Sequence, residues 1–206
     1  MMSTPESDRR QVARGRRIAL ALLGGSLLPV ALAYWAFYTH DPKGATSNLG
    51  TLLDPPLQLE SLDPAPIGNP GYPFSLDGRP GRWLLLAVLP PRCDSACEQR
   101  LHWARQTHVA LGKQADRVAR VLMVDPGHVN QAELSRLLEA DPHLYPLQAG
   151  SSARLQRLVE AVGSGAQKYV YLVDPNGNLL MYYDPDSPDK ALLLDLKHLL
   201  KISQIG

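Results

Sequence analysis

Leu84-Leu85-Leu86-Ala87-Val88-Leu89-Pro90-Pro91-Arg92-Cys93-Asp94-Ser95-Ala96-Cys97-Glu98-Gln99-Arg100-Leu101 carries both cysteines of this 206-residue chain. Its first part, with Trp83 before it, is an unbroken apolar run of strand length, and two prolines stop it. A strand without polar alternation is one buried on both faces, as in a parallel sheet covered by helices. Past the prolines, Leu101, Ala104, His108 and Leu111 recur at helical spacing, and Gly112 ends the pattern as a C-terminal cap. The cysteines therefore sit where a core strand gives way to a helix, a place suited to thiol chemistry or to a soft metal ion.

Outward from this stretch, strand and helix signals alternate. Val118 to Val124 is a second apolar strand, ended by Asp125-Pro126-Gly127. Asn130 is placed to cap a helix through Ala140 with Leu134, Leu137 and Leu138 on its core face. Leu144 to Leu147 is too short to assign. Ser151 or Ser152 caps a further helix that Gly163 ends. Tyr169 to Val173 and Leu179 to Tyr183 flank Asp174-Pro175-Asn176-Gly177-Asn178, an antiparallel hairpin signal. Asp189 to Ile202 closes the chain as an amphipathic helix. This order predicts an α/β, thioredoxin-like domain over residues 70–206, with its first two strands parallel.

The segment before that domain reads differently. Residues 39–69, and the sequence on to Pro80, are rich in Pro, Gly, Asp and Ser, which predicts an extended, semi-rigid linker. Phe74-Ser75-Leu76 before Asp77-Gly78 could add a short edge strand and turn. Ahead of the linker, Ile18 to Tyr38 holds no charged side chain and is long enough, as a helix, to cross a hydrocarbon core of about 30 Å. Tyr34, Trp35, Phe37 and Tyr38 cluster at its far end, and Arg9, Arg10, Arg14, Arg16 and Arg17 precede it against Glu6 and Asp8. That asymmetry predicts residues 1–17 as a cytoplasmic basic tail and 18–38 as a single transmembrane anchor, with the C-terminal domain outside the cytoplasm. The competing reading is a signal peptide cleaved after Ala31-Leu32-Ala33, though the apolar run continues past that site. Either places the domain in a compartment such as a bacterial periplasm, where a disulfide persists.

With a formal net charge of +1, nothing points to nucleic acid. There is no phosphate loop, no Gly-x-Ser-x-Gly and no His-Glu-x-x-His. Cys93 and Cys97 are the candidate catalytic residues. Four residues apart, they can close a disulfide or, as thiolates, clamp one soft ion such as Cu(I). The plainer alternative is a structural bridge, although a loop this short constrains little of the unfolded chain. Helix amides and Arg92 favour a thiolate at Cys93, whereas Asp94 and Glu98 oppose it. Among the histidines, His128 after the second strand is the candidate extra metal ligand. His102 and His108 fall on the helix after Cys97, His108 on its apolar stripe as a satisfied core residue, and His40, His143 and His198 read as surface groups.

Phe74-Ser75-Leu76-Asp77-Gly78, Gly81-Arg82-Trp83 with its apolar strand, Cys-x-x-x-Cys, and Tyr171-Leu172-Val173-Asp174-Pro175-Asn176-Gly177 together resemble the Sco/SenC proteins. The resemblance covers roughly residues 70 to 203 in layout, and the N-terminal anchor fits it too. It implies a membrane-anchored, thioredoxin-like factor in cytochrome c oxidase assembly, of a bacterial inner membrane with its domain in the periplasm. It further implies thiol-redox or copper-handling chemistry at Cys93 and Cys97, and a respiratory oxidase subunit or a copper chaperone as partner. The family's third copper ligand, a histidine, falls near Ala166, and no histidine occurs from Gly163 to Lys168. The proline usual after the first cysteine is Asp94, and the proline that thioredoxin carries before the hairpin strand is replaced by Ala166-Gln167-Lys168. These departures favour a narrow, partner-specific thiol-redox role over copper carriage.

Overall fold

The computed structural model describes residues 5–39, 48–68, 71–77, 80–163, 165–186 and 190–203, with the side chains of 5–13 and 37 left aside. The chain divides into two compact units, 1–47 and 48–206. In the first, helix α1 runs Pro5–Thr39 with Pro29 inside it. Its Arg14–Ala36 stretch has a mean hydropathy of 1.8 with none of that window buried, so it is long and apolar enough to cross a membrane.

The second unit is a seven-stranded mixed sheet with helices on both faces. In chain order its elements are β1 (Thr51–Gln58), β2 (Ala65–Pro66), β3 (Trp83–Val88), α2 (Ser95–Ala110), β4 (Val118–Val124), α3 (Gln131–Ala140), β5 (Leu144–Gln148), α4 (Ser152–Val162), β6 (Val170–Val173), β7 (Asn178–Tyr183) and α5 (Ala191–Ile202). The strand order is β1-β7-β6-β3-β4-β5-β2. β3, β4 and β5 are parallel, in register Leu84↔Ala119 and Val121↔Tyr145, while β6 lies antiparallel to β3 with Leu86↔Tyr171.

Every residue of β3 and β4 is buried, which explains the unbroken apolar sequence of β3 and that of β4 apart from Arg120. The two-residue period of β3 divides its side chains between the faces. Leu84, Leu86 and Val88 pack with Leu155 and Leu158 of α4, whereas Trp83 and Leu85 pack with Ala104 of α2 and Leu192 and Leu196 of α5. Ala87 joins both cysteines and Leu134 and Leu137 of α3 in a third cluster at the C-terminal end of the strand.

Local signals act where the sequence places them. Asn130 accepts from Glu133 N at 3.2 Å and Ser151 accepts from Arg154 N at 3.2 Å, each capping its helix. Asp174 organises the β6–β7 turn by accepting from the N–H groups of Asn176 and Asn178 at 2.9 and 2.8 Å. Gly177 takes the positive φ that this turn demands, +86°. Residue Asp189, the expected start of the last helix, lies outside the described residues; α5 is described from Ala191.

The stretch 39–69 departs from its expected character as a linker. Residues 40–47 and 69–70, His40 among them, lie outside the described residues, but from Asn48 the chain belongs to the compact unit. Thr51–Gln58 pairs with β7 as one edge strand, and Ala65–Pro66 pairs with β5 as the other. Proline is compatible with both because an edge strand needs only half of its backbone groups for the ladder. Asp54-Pro55-Pro56 falls within the irregularity between Leu52 and Leu57, where the ladder is interrupted. A composition that excludes a central strand still permits an edge. β5, too short to assign from sequence, follows a related rule: five residues with Pro146 inside give little periodicity, and only pairing with β4 defines them.

Asp195 of α5 fixes where the unit begins. Its Oδ2 accepts from Leu49 N at 2.7 Å, Gly50 N at 2.9 Å and the Tyr183 hydroxyl at 3.0 Å. Gly50 is required there, since a Cβ would stand 2.5 Å from the Tyr183 ring.

Candidate functional site

The site forms where β3 ends. Leu89 N still bonds to Met123 O at 2.8 Å, after which Pro90 and Pro91 end the ladder and turn the chain toward α2. Asp94 is the N-cap: its carboxylate accepts from Cys97 N at 3.0 Å, and its carbonyl accepts from Glu98 N at 3.0 Å. Cys93 therefore precedes the helix and Cys97 lies in its first turn. They are joined as a disulfide with a Cα–Cα distance of 5.2 Å, inside the range such a bond spans without backbone movement. The bridge straddles the cap rather than running along one helical face, which is a difference from the simple four-residue helical spacing. Asp94, expected only as a charge opposing the thiolate, is the residue that starts the helix.

Both cysteines are shielded, Cys93 at 8% and Cys97 at 3% exposure. Two side chains not singled out in the sequence complete the surroundings. Glu133, on α3, reaches back so that its Oε1 accepts from Cys93 N at 3.0 Å. No local pattern could reveal that contact between residues forty apart. Arg100, three residues beyond Cys97, is 3% exposed; its Nη2 donates to Val88 O at 2.9 Å and its Nε has no partner. Burial pulls its guanidinium down to about 10, against the fields of Tyr171 and Asp94, so it is cationic at neutral pH. Helical periodicity did hold this signal, because position 100 falls on the inward stripe with Cys97, Ala104 and Thr107.

Cys97 and Arg100 share the wall of an open cavity of about 400 Å³, with Arg92, Lys168, Asp184 and Asp186 at its edge. Opposite, the approach to β6 is a short 3-10 turn, Ala166–Lys168, entered through Gly165 at φ +114°. Ala166 is 2% exposed, and its carbonyl accepts from the Tyr171 hydroxyl at 2.5 Å. A small apolar residue thus fills the position near which the resemblance would place a third copper ligand.

Among the described residues the histidines do not join the cysteines. His128 is exposed on the loop after β4, its Nδ1 3.1 Å from Asp125 Oδ2. Burial raises the Asp125 carboxyl, but bonds from Ser152, Gly127 N and His128 outweigh it and hold the group below the usual carboxylate range. His108, half-buried, donates from Nε2 between Ala115 O and Val118 O, each at 3.0 Å, as a satisfied core residue would. Among the described residues no three His, Cys, Asp or Glu side chains converge as a metal-holding group. The reduced pair would supply two soft donors and no third, so the donor set does not fit a three-ligand copper centre, and the chemistry derived below uses the sulfurs alone.

Residues 83–203 match the family model described as "Transmembrane-like, thioredoxin-like, C-terminal domain". No curated protein sequence matches the chain. Among solved structures it is similar to yeast Sco1 with copper bound, at 17% identity and a TM-score of 0.50, covering 60% of this chain and 80% of that one. Apo Sco1 from Thermus thermophilus aligns at 18% identity and a TM-score of 0.51, over 76% and 99% of the two chains. BsSco, described with a disulfide switch and as a member of the Sco family of cytochrome c oxidase assembly proteins, aligns at 16% and 0.51, over 77% and 98%. At these identities the likeness is one of fold: a divergent, Sco-like thioredoxin fold.

Proposed function

The chain belongs to the transmembrane-like, thioredoxin-like C-terminal domain family, and from that premise we propose that it is a membrane-anchored thiol–disulfide protein assisting cytochrome c oxidase assembly from the periplasmic side of a bacterial inner membrane. The observation that carries this reading is the Cys93–Cys97 disulfide at the junction of a buried central strand and the helix after it. There Cys97 lines an open cavity, which gives a partner's thiol a route to the pair. The arginines before the apolar part of α1 support the orientation, since basic residues stay cytoplasmic. The partner class is a cysteine-bearing oxidase subunit or a copper chaperone, kept reduced for metal delivery.

A second reading is supported by the shielding of the sulfurs and by the capture of the Cys93 and Cys97 amides by Glu133 and Asp94. In it the bridge staples the start of α2, and the domain acts as a binding module for oxidase subunits. Replacing both cysteines in the producing organism separates the two. Cys93→Ser with Cys97→Ser impairs oxidase assembly as severely as deletion of the whole chain if the thiols act. Intact assembly in the double variant, beside a defect on deletion, would establish the binding module instead.

A further inference from the structure

A buried cation one helical turn from a disulfide cysteine, without an ion pair among the described residues, calls for a reason. Among the described residues Arg100 has no ion pair, its one neutral acceptor is Val88 O, and its Nε is unbonded. An unpaired buried charge is costly, and a Leu or Met would fill the same space more cheaply. Arg120, the other buried arginine, shares the unbonded Nε but differs in its ion pair: both its terminal nitrogens bond the Asp141 carboxylate. Side chains on a helix lean toward its N-terminus, so Arg100 lies over the turn that holds Cys97, and both line the same cavity.

Resting on the thiol–disulfide reading, we propose that Arg100 is a positioning residue that stabilises Cys97 as the leaving thiolate when the disulfide is opened at Cys93. Cys93 is the more exposed residue of the two, 8% against 3%, and takes the attack. A partner thiolate attacks Cys93 Sγ, a partner–Cys93 disulfide forms, the Cys93–Cys97 bond breaks, and its electron pair goes to Cys97 Sγ beside the guanidinium. A second partner thiolate then attacks the partner sulfur of the mixed disulfide and releases the Cys93 thiolate, which takes a proton from water. The partner dithiol has become a disulfide and the pair has gained two electrons. Run in reverse, the same steps reduce a partner disulfide, with the stabilised Cys97 thiolate resolving the intermediate.

The other charges nearby do not substitute for Arg100. Arg92, Lys168, Asp94, Asp184 and Asp186 also line the cavity, opposite signs at largely solvated positions where screening is strong, and the field of Asp94 favours the charge on Arg100. Glu133 holds the Cys93 amide from α3 and disfavours charge on Cys93, whereas Asp94, which accepts from Cys97 N, and Glu98 bear on Cys97 as well, which leaves Arg100 as the group that tips the balance toward Cys97. The result is an asymmetric pair: a neutral-leaning Cys93 and a thiolate-leaning Cys97. A lower leaving-group pKa speeds opening of the bond.

The test uses the full chain in detergent micelles, labelled with 13Cβ-cysteine and reduced. In the wild type Cys97 titrates below both Cys93 and the ordinary thiol value of about 8.5. Arg100→Gln raises the Cys97 midpoint and, at pH 8 against dithiothreitol, shifts the redox equilibrium toward disulfide by roughly three- to tenfold, roughly 15 to 30 mV lower. Arg100→Lys restores most of both, and Arg105→Gln, exposed on the same helix, changes neither. A wild-type Cys97 midpoint at or above 8.5 overturns the proposal even if Arg100→Gln fails to fold, and so does an unchanged equilibrium in a folded Arg100→Gln. A wild-type potential too low for exchange, together with the predicted dependence on Arg100, would instead sink the thiol–disulfide reading and leave the role of Arg100 standing.

Discussion

Two regions of the domain each bury a charged side chain, and they do so to opposite ends. At the sheet edge, Asp195 accepts two backbone amides and the Tyr183 hydroxyl on one oxygen, which pins Leu49 and Gly50 where the folded unit begins. Burial and the adjacent carboxylate push the Tyr183 phenol far up, so it stays a donor at any physiological pH. At the sheet end, Arg100, three residues beyond Cys97, has one neutral acceptor, an idle Nε and no ion pair among the described residues. A buried charge with its partners satisfied holds structure; one left short of partners has free-energy to give to something that gains charge beside it.

The largest effect that would sharpen this contrast is Asp195→Ala. It strands two backbone donors and a phenol, so it should cost about 3 kcal/mol or more in urea unfolding while leaving the reduction potential of the cysteine pair unchanged. A shifted potential would break the contrast. Gly50→Ala forces a methyl against the Tyr183 ring and should cost about 1 to 3 kcal/mol by the same measurement.

The Arg120–Asp141 pair supplies an intermediate case, a buried arginine with its carboxylate present. Burial opposes the charge on Asp141, but the Arg120 bonds prevail and hold its carboxyl below the ordinary range. A depressed carboxyl contributes stability that is full above its unfolded value of about 3.9 and lost as pH falls through the lower folded value. Unfolding midpoints measured from pH 6 to pH 2 should fall in that acid window, and Asp141→Asn should lower the pH 6 midpoint and flatten the fall. The smallest effect is expected at the surface. Arg136→Ala breaks a half-exposed pair with Glu98 at 2.8 Å and should change stability by less than about 0.5 kcal/mol.

The same division governs what could be read in advance. Apolar runs, broken only by Arg120 in β4, identify β3 and β4 because burial on both faces removes any need for polar alternation. The Asn-Gly turn identifies β6 and β7, and Asn130 and Ser151 mark their helices, since each acts on its own neighbours. β1, β2 and β5 escape because strands with proline at or near the sheet edge are defined by pairing partners far along the chain. In the site, the disulfide follows from local spacing, but Glu133 reaches Cys93 only through the packing of α3. Arg100 was legible as position and illegible as charge: the periodicity turned it inward, while its residue type argued for solvent.

The central claim is that Cys93 and Cys97 exchange electrons with a partner. The reduction potential of the pair in the full chain, equilibrated with dithiol buffers of known potential, tests it most directly. The account predicts a value above about −300 mV, within reach of exchange with other protein thiols. A value below that limit would make the bridge a structural staple and contradict the claim.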